Sequence, residues 1–210
     1  MSVFDVIRLP DLYHNLKAAI KTVVAGETPA HVFFDNAEID GQMCDAVIDR
    51  ETLLAIMQAA KKADDSLLRD YAETTVAVAD IKIAVRSMKT GKNKDFMKRA
   101  MAECNTLDID RLATAAVAGM EEIERYLADT AYAGGAEALS KSASAFERWC
   151  DNRIIETIKP QKYNPFTVGP IVAYILARLN EIKTVRIILT CKLNQLPEEA
   201  IRERVREMYV

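Results

Sequence analysis

Apolar residues recur three or four positions apart through most of this chain, with charged residues between them. That spacing is typical of amphipathic helices, whereas the alternating pattern of strands is missing. The chain also holds only 7 glycines, and no proline occurs between Pro29 and Pro160. Since both residue types weaken helices, their scarcity favours the same conclusion. The sequence therefore predicts an all-α fold.

Capping residues and glycines give the expected helix boundaries. We expect Asp11 to open a helix from Leu12 that ends at Gly26. Gly134-Gly135 is expected to form a turn before one long helix from Ala136 to Ile158. Further helices are predicted to begin at Asp49 or Arg50, at Asp64 or Asp65 (ending at Gly91), at Asn93, at Asp108 (with Gly119 as a bend), at Pro170 and at Glu198.

The segment from Lys159 to Val210 carries the most distinctive pattern in the chain. A proline-rich turn precedes an apolar helix, and Asn194 and Pro197 interrupt the pattern before a short charged helix. The distinctive positions are Pro165, Pro170, Tyr174, Asn180 to Lys183, Arg186 to Leu189, Lys192 to Asn194, Ile201 to Arg204 and Tyr209. This pattern closely resembles the C-terminal signature of the C subunits of archaeal and bacterial V-type (A-type) rotary ATPases, and of the eukaryotic V-ATPase d subunit. Gly169, Arg178-Leu179 and Cys191 depart from that signature.

A short phrase recurs along the chain, which predicts related helical units. Asn15 to Lys21 is repeated at Asp80 to Arg86 and, more weakly, at Glu181 to Ile187. The resemblance implies two to three similar helical domains in a partial, pseudo-threefold, funnel-like arrangement. We expect residues 1–26 to end a first unit, 27–102 to form a second and 103–210 a third. The chain would then lack roughly the first third of a full-length family member.

The repeated phrases also predict a packing arrangement. Lys17, Lys82 and Lys183 should lie on a common flank, each beside an apolar stripe that faces the core. The predicted stripes are Leu16, Ala19 and Ile20; Ile81, Ala84 and Val85; and Ile182, Val185 and Arg186. An open side, where the first third of a family member belongs, should expose apolar surface and promote self-association.

The sequence offers no candidate catalytic, cofactor-binding or metal-binding residues. Phosphate-binding glycine loops and nucleophile motifs are absent, and Gly91-Lys92 lacks the rest of such a loop. Paired carboxylates such as Asp64-Asp65 lie at predicted helix starts, which favour negative charge. Trp149 falls at core spacing, which argues against base stacking. The residues without ligand spacing are Cys44, Cys104, Cys150, Cys191, His14 and His31. We expect no enzyme, no small-molecule substrate and no nucleic-acid partner.

The distribution of charge bears more on partners than the formal net charge of −3. Acids dominate from Glu27 to Glu73 and bases from Thr74 to Met101, so the two segments can pair or present two faces. No signal peptide is recognisable, and the uncharged stretch from Tyr163 to Ala177 is too short and too proline-rich to span a bilayer. We expect a soluble, cytoplasmic protein that is peripheral to the membrane through partner subunits.

The resemblance implies a non-catalytic rotor subunit of a V/A-type ATPase. Its partners would be the central axle subunits of the soluble head and the subunits of the membrane rotor ring. The residues that contact them are not identifiable from the sequence. The alternative is a helical-repeat adaptor that binds a peptide or protein in a concave groove. The unequal spacing of the repeats, 65 residues from Lys17 to Lys82 and 101 from Lys82 to Lys183, argues against this alternative.

Overall fold

The computed structural model describes residues 3–24, 41–63 and 65–209, and within these ranges all regular secondary structure is helical. The all-α prediction is therefore confirmed. The helices are α1 (Val3–Val24), α2 (Gly41–Ala63), α3 (Ser66–Lys89), α4 (Lys94–Ala100), α5 (Ile109–Ala118), α6 (Met120–Ala128), α7 (Ala133–Lys141), α8 (Ala143–Ile158), a 3-10 turn (Lys159–Tyr163), α9 (Gly169–Leu193) and α10 (Glu198–Arg204).

Side-chain caps fix several helix starts where the sequence predicts them. Asp65, Asn93 and Asp108 each accept a hydrogen bond from the backbone N–H three residues later, at 3.1, 2.8 and 3.0 Å. Each cap satisfies one of the N–H groups that a helix start leaves without a partner. Gly119 separates α5 from α6 with a φ of 134°, a conformation that favours glycine. Local sequence therefore determines these boundaries.

The predicted starts of the first two helices are wrong. Helix α1 begins at Val3 and runs through Pro10, although proline removes one helical hydrogen bond. Val6 is buried in the core, so tertiary packing holds the turn that precedes the proline. Helix α2 begins at Gly41, and Asp49 lies within it, paired with Lys17 of α1. The Asp49 carboxylate therefore links α2 to α1 and does not cap the start of a helix.

The predicted turn at Gly134-Gly135 is also wrong, since both glycines lie within α7. A Cβ atom on Gly135 would lie 2.8 Å from the Trp149 ring, so the glycine permits close packing of α7 on α8. The single helix predicted from Ala136 to Ile158 is in fact two. Ser142 interrupts it with an extended backbone, and its hydroxyl accepts a hydrogen bond from the Ala145 N–H at 2.9 Å to start α8.

Two main clusters of buried side chains form the core, and α3 and α8 contribute to both. The first joins the middle and end of α3 to α4, α5, α6, α7 and the start of α8, with large members Ile81, Met97, Leu112, Ile123, Leu127 and Phe146. The second joins α1, α2 and the start of α3 to α8 and α9, with members Val6, Ile56, Leu68, Ile155, Val172 and Leu176. The predicted division into units and the pseudo-threefold arrangement remain predictions.

Candidate partner-binding surface

Helix α9 is the longest described helix, with 25 residues, and one of its faces is buried. Pro170 occupies its first turn, where the missing N–H costs nothing. The buried face packs against α8, α10 and the 3-10 turn. Its first half is apolar and its second half includes polar side chains; the buried residues are Gly169, Val172, Ala173, Leu176, Ala177, Asn180, Thr184 and Cys191.

The opposite face of α9 is apolar and exposed. We call it the α9 stripe; it comprises Ile171, Tyr174, Leu179, Ile182, Val185, Leu189 and Leu193, each between 45% and 84% exposed. The prediction that Ile182 and Val185 face the core is therefore wrong. Asn180 and Thr184 occupy the buried side instead, and the Thr184 hydroxyl donates to the Asn180 carbonyl at 2.8 Å.

Positive charge lies inside the α9 stripe. Arg178 precedes Ile182 by four residues and Arg186 follows it by four, so all three share one side of the helix. Arg178 pairs with Glu181. Within the described part of the chain, no hydrogen bond or ion pair engages the exposed side chains of Arg186 and Lys192. The stripe therefore combines apolar contact area with unpaired cations.

A cluster of charges on the other side of α9 holds it in place. Asp151 of α8 accepts hydrogen bonds from Lys183 Nζ at 2.7 Å and from Arg206 Nε at 2.8 Å. We call these three residues the C-terminal clamp. Burial by itself would raise the pKa of Asp151, but the hydrogen bond and charge of Lys183 and the hydrogen bond of Arg206 outweigh it and lower that pKa. The carboxylate therefore stays ionised at neutral pH.

Hydrogen bonds between side chains and the backbone extend this attachment to the end of the chain. The Asn180 amide donates to the Glu207 carbonyl, and the Glu207 N–H donates to the Asn152 side chain, both at 2.9 Å. Lys159 pairs with the Glu207 carboxylate at 2.6 Å. The segment after α10 is thereby fixed against α8 and α9. Asn180 and Lys183, which belong to the distinctive C-terminal pattern, therefore have structural roles: Asn180 bonds the chain end and Lys183 bonds α8.

The three repeated lysines each pair with a carboxylate on a neighbouring helix. Lys17 bonds Asp49 at 2.9 Å, Lys82 bonds Glu147 at 2.8 Å, and Lys183 bonds Asp151. Their surroundings differ, however. The predicted stripe beside Lys82 is buried in α3, whereas the one beside Lys183 is exposed. The prediction of a common packing environment is therefore wrong for α9.

Reactive chemistry has little support among the described residues. Burial raises the pKa of Cys104 to about 11 and that of Cys150 to about 12, so both thiols stay protonated and unreactive at neutral pH. Within the described ranges, no group of histidine, cysteine and acidic side chains is placed to hold a metal ion. His14 lies exposed on α1, while His31 and the Cys44 side chain fall outside the described residues.

A cavity of about 400 Å³ lies between α1, α2, α3 and α4. The described residues of its lining include Lys17, Asp49, Arg86 and Phe96 but neither histidine nor cysteine. Lys17 and Asp49 neutralise each other there.

In the parts of the chain that are described, no helix has the length and hydrophobicity needed to cross a bilayer. The α9 stripe is thus the strongest candidate for a functional surface.

Comparison with known proteins gives this surface a context. The family described as ATP synthase (C/AC39) subunit matches residues 7–204. The C subunit of the A-type ATP synthase of Methanocaldococcus jannaschii is 27% identical over 156 residues, which are 70% of this chain and 39% of that protein. The chain thus spans well under half of that relative in the matched region. No solved structure matches significantly. Because the family match covers nearly the whole chain, the chain belongs to the ATP synthase (C/AC39) subunit family.

Proposed function

We propose that this chain is a non-catalytic central-stalk subunit of a V/A-type rotary ATPase. In that role it couples the central axle of the soluble head to the membrane rotor ring during ATP-driven ion transport or ATP synthesis. The family match over residues 7–204 is the observation that carries the proposal. The protein would lie on the cytoplasmic side, peripheral to the membrane through its partner subunits.

The mechanical demands of this role agree with the packing. A part that passes torque between two partners must resist bending, and it needs no reactive groups. Helix α3 contributes to both core clusters. The C-terminal clamp fixes α9 to α8 through the buried Asp151 carboxylate, which pairs with both Lys183 and Arg206. Charge-assisted hydrogen bonds of this kind are among the stronger polar contacts in proteins. The described helices thus support transmission of force through a stiff body.

The helical-repeat adaptor is less well supported. An adaptor of that class presents a concave groove lined by successive repeats. The exposed apolar surface here runs along the outside of a single helix, and the three repeated phrases have different packing environments. A rotor subunit needs partner surfaces without a peptide groove.

Purification of the native complex tests the proposed function. The chain, tagged at its C-terminus and expressed in its native cell, is captured after gentle solubilisation of membranes with detergent. We expect axle and ring subunits of the ATPase to be recovered in fixed stoichiometry, as measured by quantitative mass spectrometry. The isolated chain should hydrolyse no ATP. Recovery of an intact ATPase from the same membranes without this chain would contradict the proposal.

A further inference from the structure

The α9 stripe is too extensive to be an ordinary surface feature. Seven large apolar side chains lie along a helix that is about 37 Å long. Single exposed apolar residues are normal on protein surfaces, whereas a continuous patch of this size marks a binding site. The packing contacts of α9 with other described helices involve its buried face, and every member of the stripe is at least 45% exposed, so the stripe is open along its whole length.

The positions of the cations indicate the chemistry of the partner. Arg186 is flanked on the same side of the helix by Ile182 and Leu189, at intervals of four and three residues. A purely apolar partner would bury this guanidinium without a counter-charge, which is costly. A carboxylate on the partner would remove that cost and add a charge-assisted hydrogen bond. Lys192, near the end of α9, needs the same kind of group.

We propose that the α9 stripe binds an amphipathic helix of a partner protein whose apolar face also carries aspartate or glutamate side chains. The convex surface of a helix is matched well by a second helix packed along it, with the side chains of one seated between those of the other. Carboxylates of the partner reach Arg186 and Lys192. This inference rests on the proposed function, since it specifies how a subunit of the complex is held by a neighbour.

A second copy of this chain is disfavoured by charge. Ile182 lies midway between Ile171 and Leu193, the two ends of the α9 stripe. Two stripes packed antiparallel about Ile182 place Arg178 of one copy opposite Arg186 of the other. Two stripes packed parallel and in register place each arginine opposite itself. Like charges facing each other across an interface are destabilising, so neither symmetric pairing suits the surface.

An anionic membrane is disfavoured by the placement of the same residues. Helices that lie in a membrane interface keep their cations on the polar face and their apolar face free of charge. Here Arg178 and Arg186 lie within the apolar face, four residues on either side of Ile182. Insertion of that face would carry both guanidinium groups toward the acyl chains. A protein partner with carboxylates accommodates them better.

Two synthetic helical peptides of the length of α9 test the inference with the full chain. Both carry the same leucine stripe, and glutamates within the stripe of one are replaced by lysines in the other. We expect the glutamate peptide to bind more tightly by about tenfold or more, measured by fluorescence anisotropy, with a preference that weakens at high salt. The double substitution Arg186→Glu, Lys192→Glu should reverse that preference.

The control changes the net charge equally at another place. Lys89→Glu with Lys141→Glu alters two exposed lysines outside α9 and should keep the preference for the glutamate peptide. Equal binding of both peptides overturns the inference. So does a dimer in sedimentation that Val185→Ser dissociates, or binding to vesicles of phosphatidylcholine and phosphatidylserine without a peptide preference. Purification of the native complex reports on the proposed function separately, because either experiment can fail while the other succeeds.

Discussion

Asp80 is enclosed in the middle of α3, with none of its surface exposed. Its Oδ1 atom accepts a hydrogen bond from the Ala102 N–H at 3.1 Å, but Oδ2 has no hydrogen-bond partner among the described residues. The charge of Arg50 acts on Asp80, but the Arg50 Nε–H donates to the Met101 carbonyl at 2.9 Å. Burial therefore dominates, and it raises the pKa of Asp80 from 3.8 to about 8.

This shift makes stability depend on pH with a definite sign. Between pH 3.8 and about 8 the unfolded chain releases the Asp80 proton, while the folded protein retains it. The contribution of Asp80 to stability is thus complete below pH 3.8 and is lost as the pH rises toward 8. Each pH unit in this window costs about 1.4 kcal/mol, or about 2.7 kcal/mol between pH 5 and pH 7.

Substitution of Asp80 by asparagine isolates this effect. The amide oxygen still accepts the Ala102 hydrogen bond, but the side chain no longer ionises. We expect the free energy of unfolding of Asp80→Asn to exceed that of the unmodified protein increasingly with pH, by about 2.7 kcal/mol more at pH 7 than at pH 5. Urea unfolding followed by far-ultraviolet circular dichroism at several pH values measures this difference.

The matched control is Asp70→Asn, which changes an exposed carboxylate on the same helix. This control accounts for the loss of one negative charge from α3, and the Asp80→Asn difference should rise with pH more steeply than the Asp70→Asn difference. If the Asp80→Asn difference is constant between pH 5 and pH 7, the folded protein keeps Asp80 ionised throughout that range, which contradicts the argument from burial. An Asp80→Asn variant that becomes relatively less stable as the pH rises through values below 3.8 would show that Arg50 stabilises the charged form.

Three further variants or reagents test the packing and the C-terminal clamp. Asp151→Ala leaves two cations without their counter-charge, so the free energy of unfolding measured by urea titration should fall by about 3 kcal/mol or more. Because the pKa of Asp151 is lowered, this loss of stability should shrink as the pH falls below 3.8. Gly135→Ala places a Cβ atom 2.8 Å from the Trp149 ring and should lower the free energy of unfolding by about 1–3 kcal/mol. The same substitution should lower it less in a protein that already has leucine in place of Trp149. The Cys150 thiol should react with a thiol reagent about tenfold or more slowly in the folded protein than in urea, and equal rates would contradict its burial.

Local sequence decides the features of this protein that depend on neighbouring residues. The helical spacing of apolar residues and the scarcity of glycine and proline determine that the fold is all-α. Asp65, Asn93 and Asp108 cap helices because each supplies an oxygen to a backbone N–H only three residues away. The distinctive segment from Lys159 to Val210 was sufficient to indicate the family that the comparison then showed.

Contacts between distant segments decide the rest. Pro10 lies within α1 because Val6 is buried against the core, and Gly135 lies within a helix because Trp149 packs on it. In the sequence, Asp151 looks like any acidic residue on a helix surface. In the structure it accepts a hydrogen bond from Arg206, which lies 55 residues later in the chain. Sequence reasoning therefore missed this residue, and no local signal indicates it.

The α9 stripe shows most clearly where sequence pattern ceases to be informative. Apolar residues occur on both sides of α9, so helical spacing predicts the helix but cannot say which side faces the core. Ile182 and Val185 satisfy the pattern of a buried stripe as well as Val172 and Leu176 do. The contacts with α8 and the chain end favour the observed orientation, because it brings Asn180 to the Glu207 carbonyl and Lys183 to Asp151. Helical spacing is enough to determine the helix, whereas contacts between distant segments determine which of its faces stays exposed.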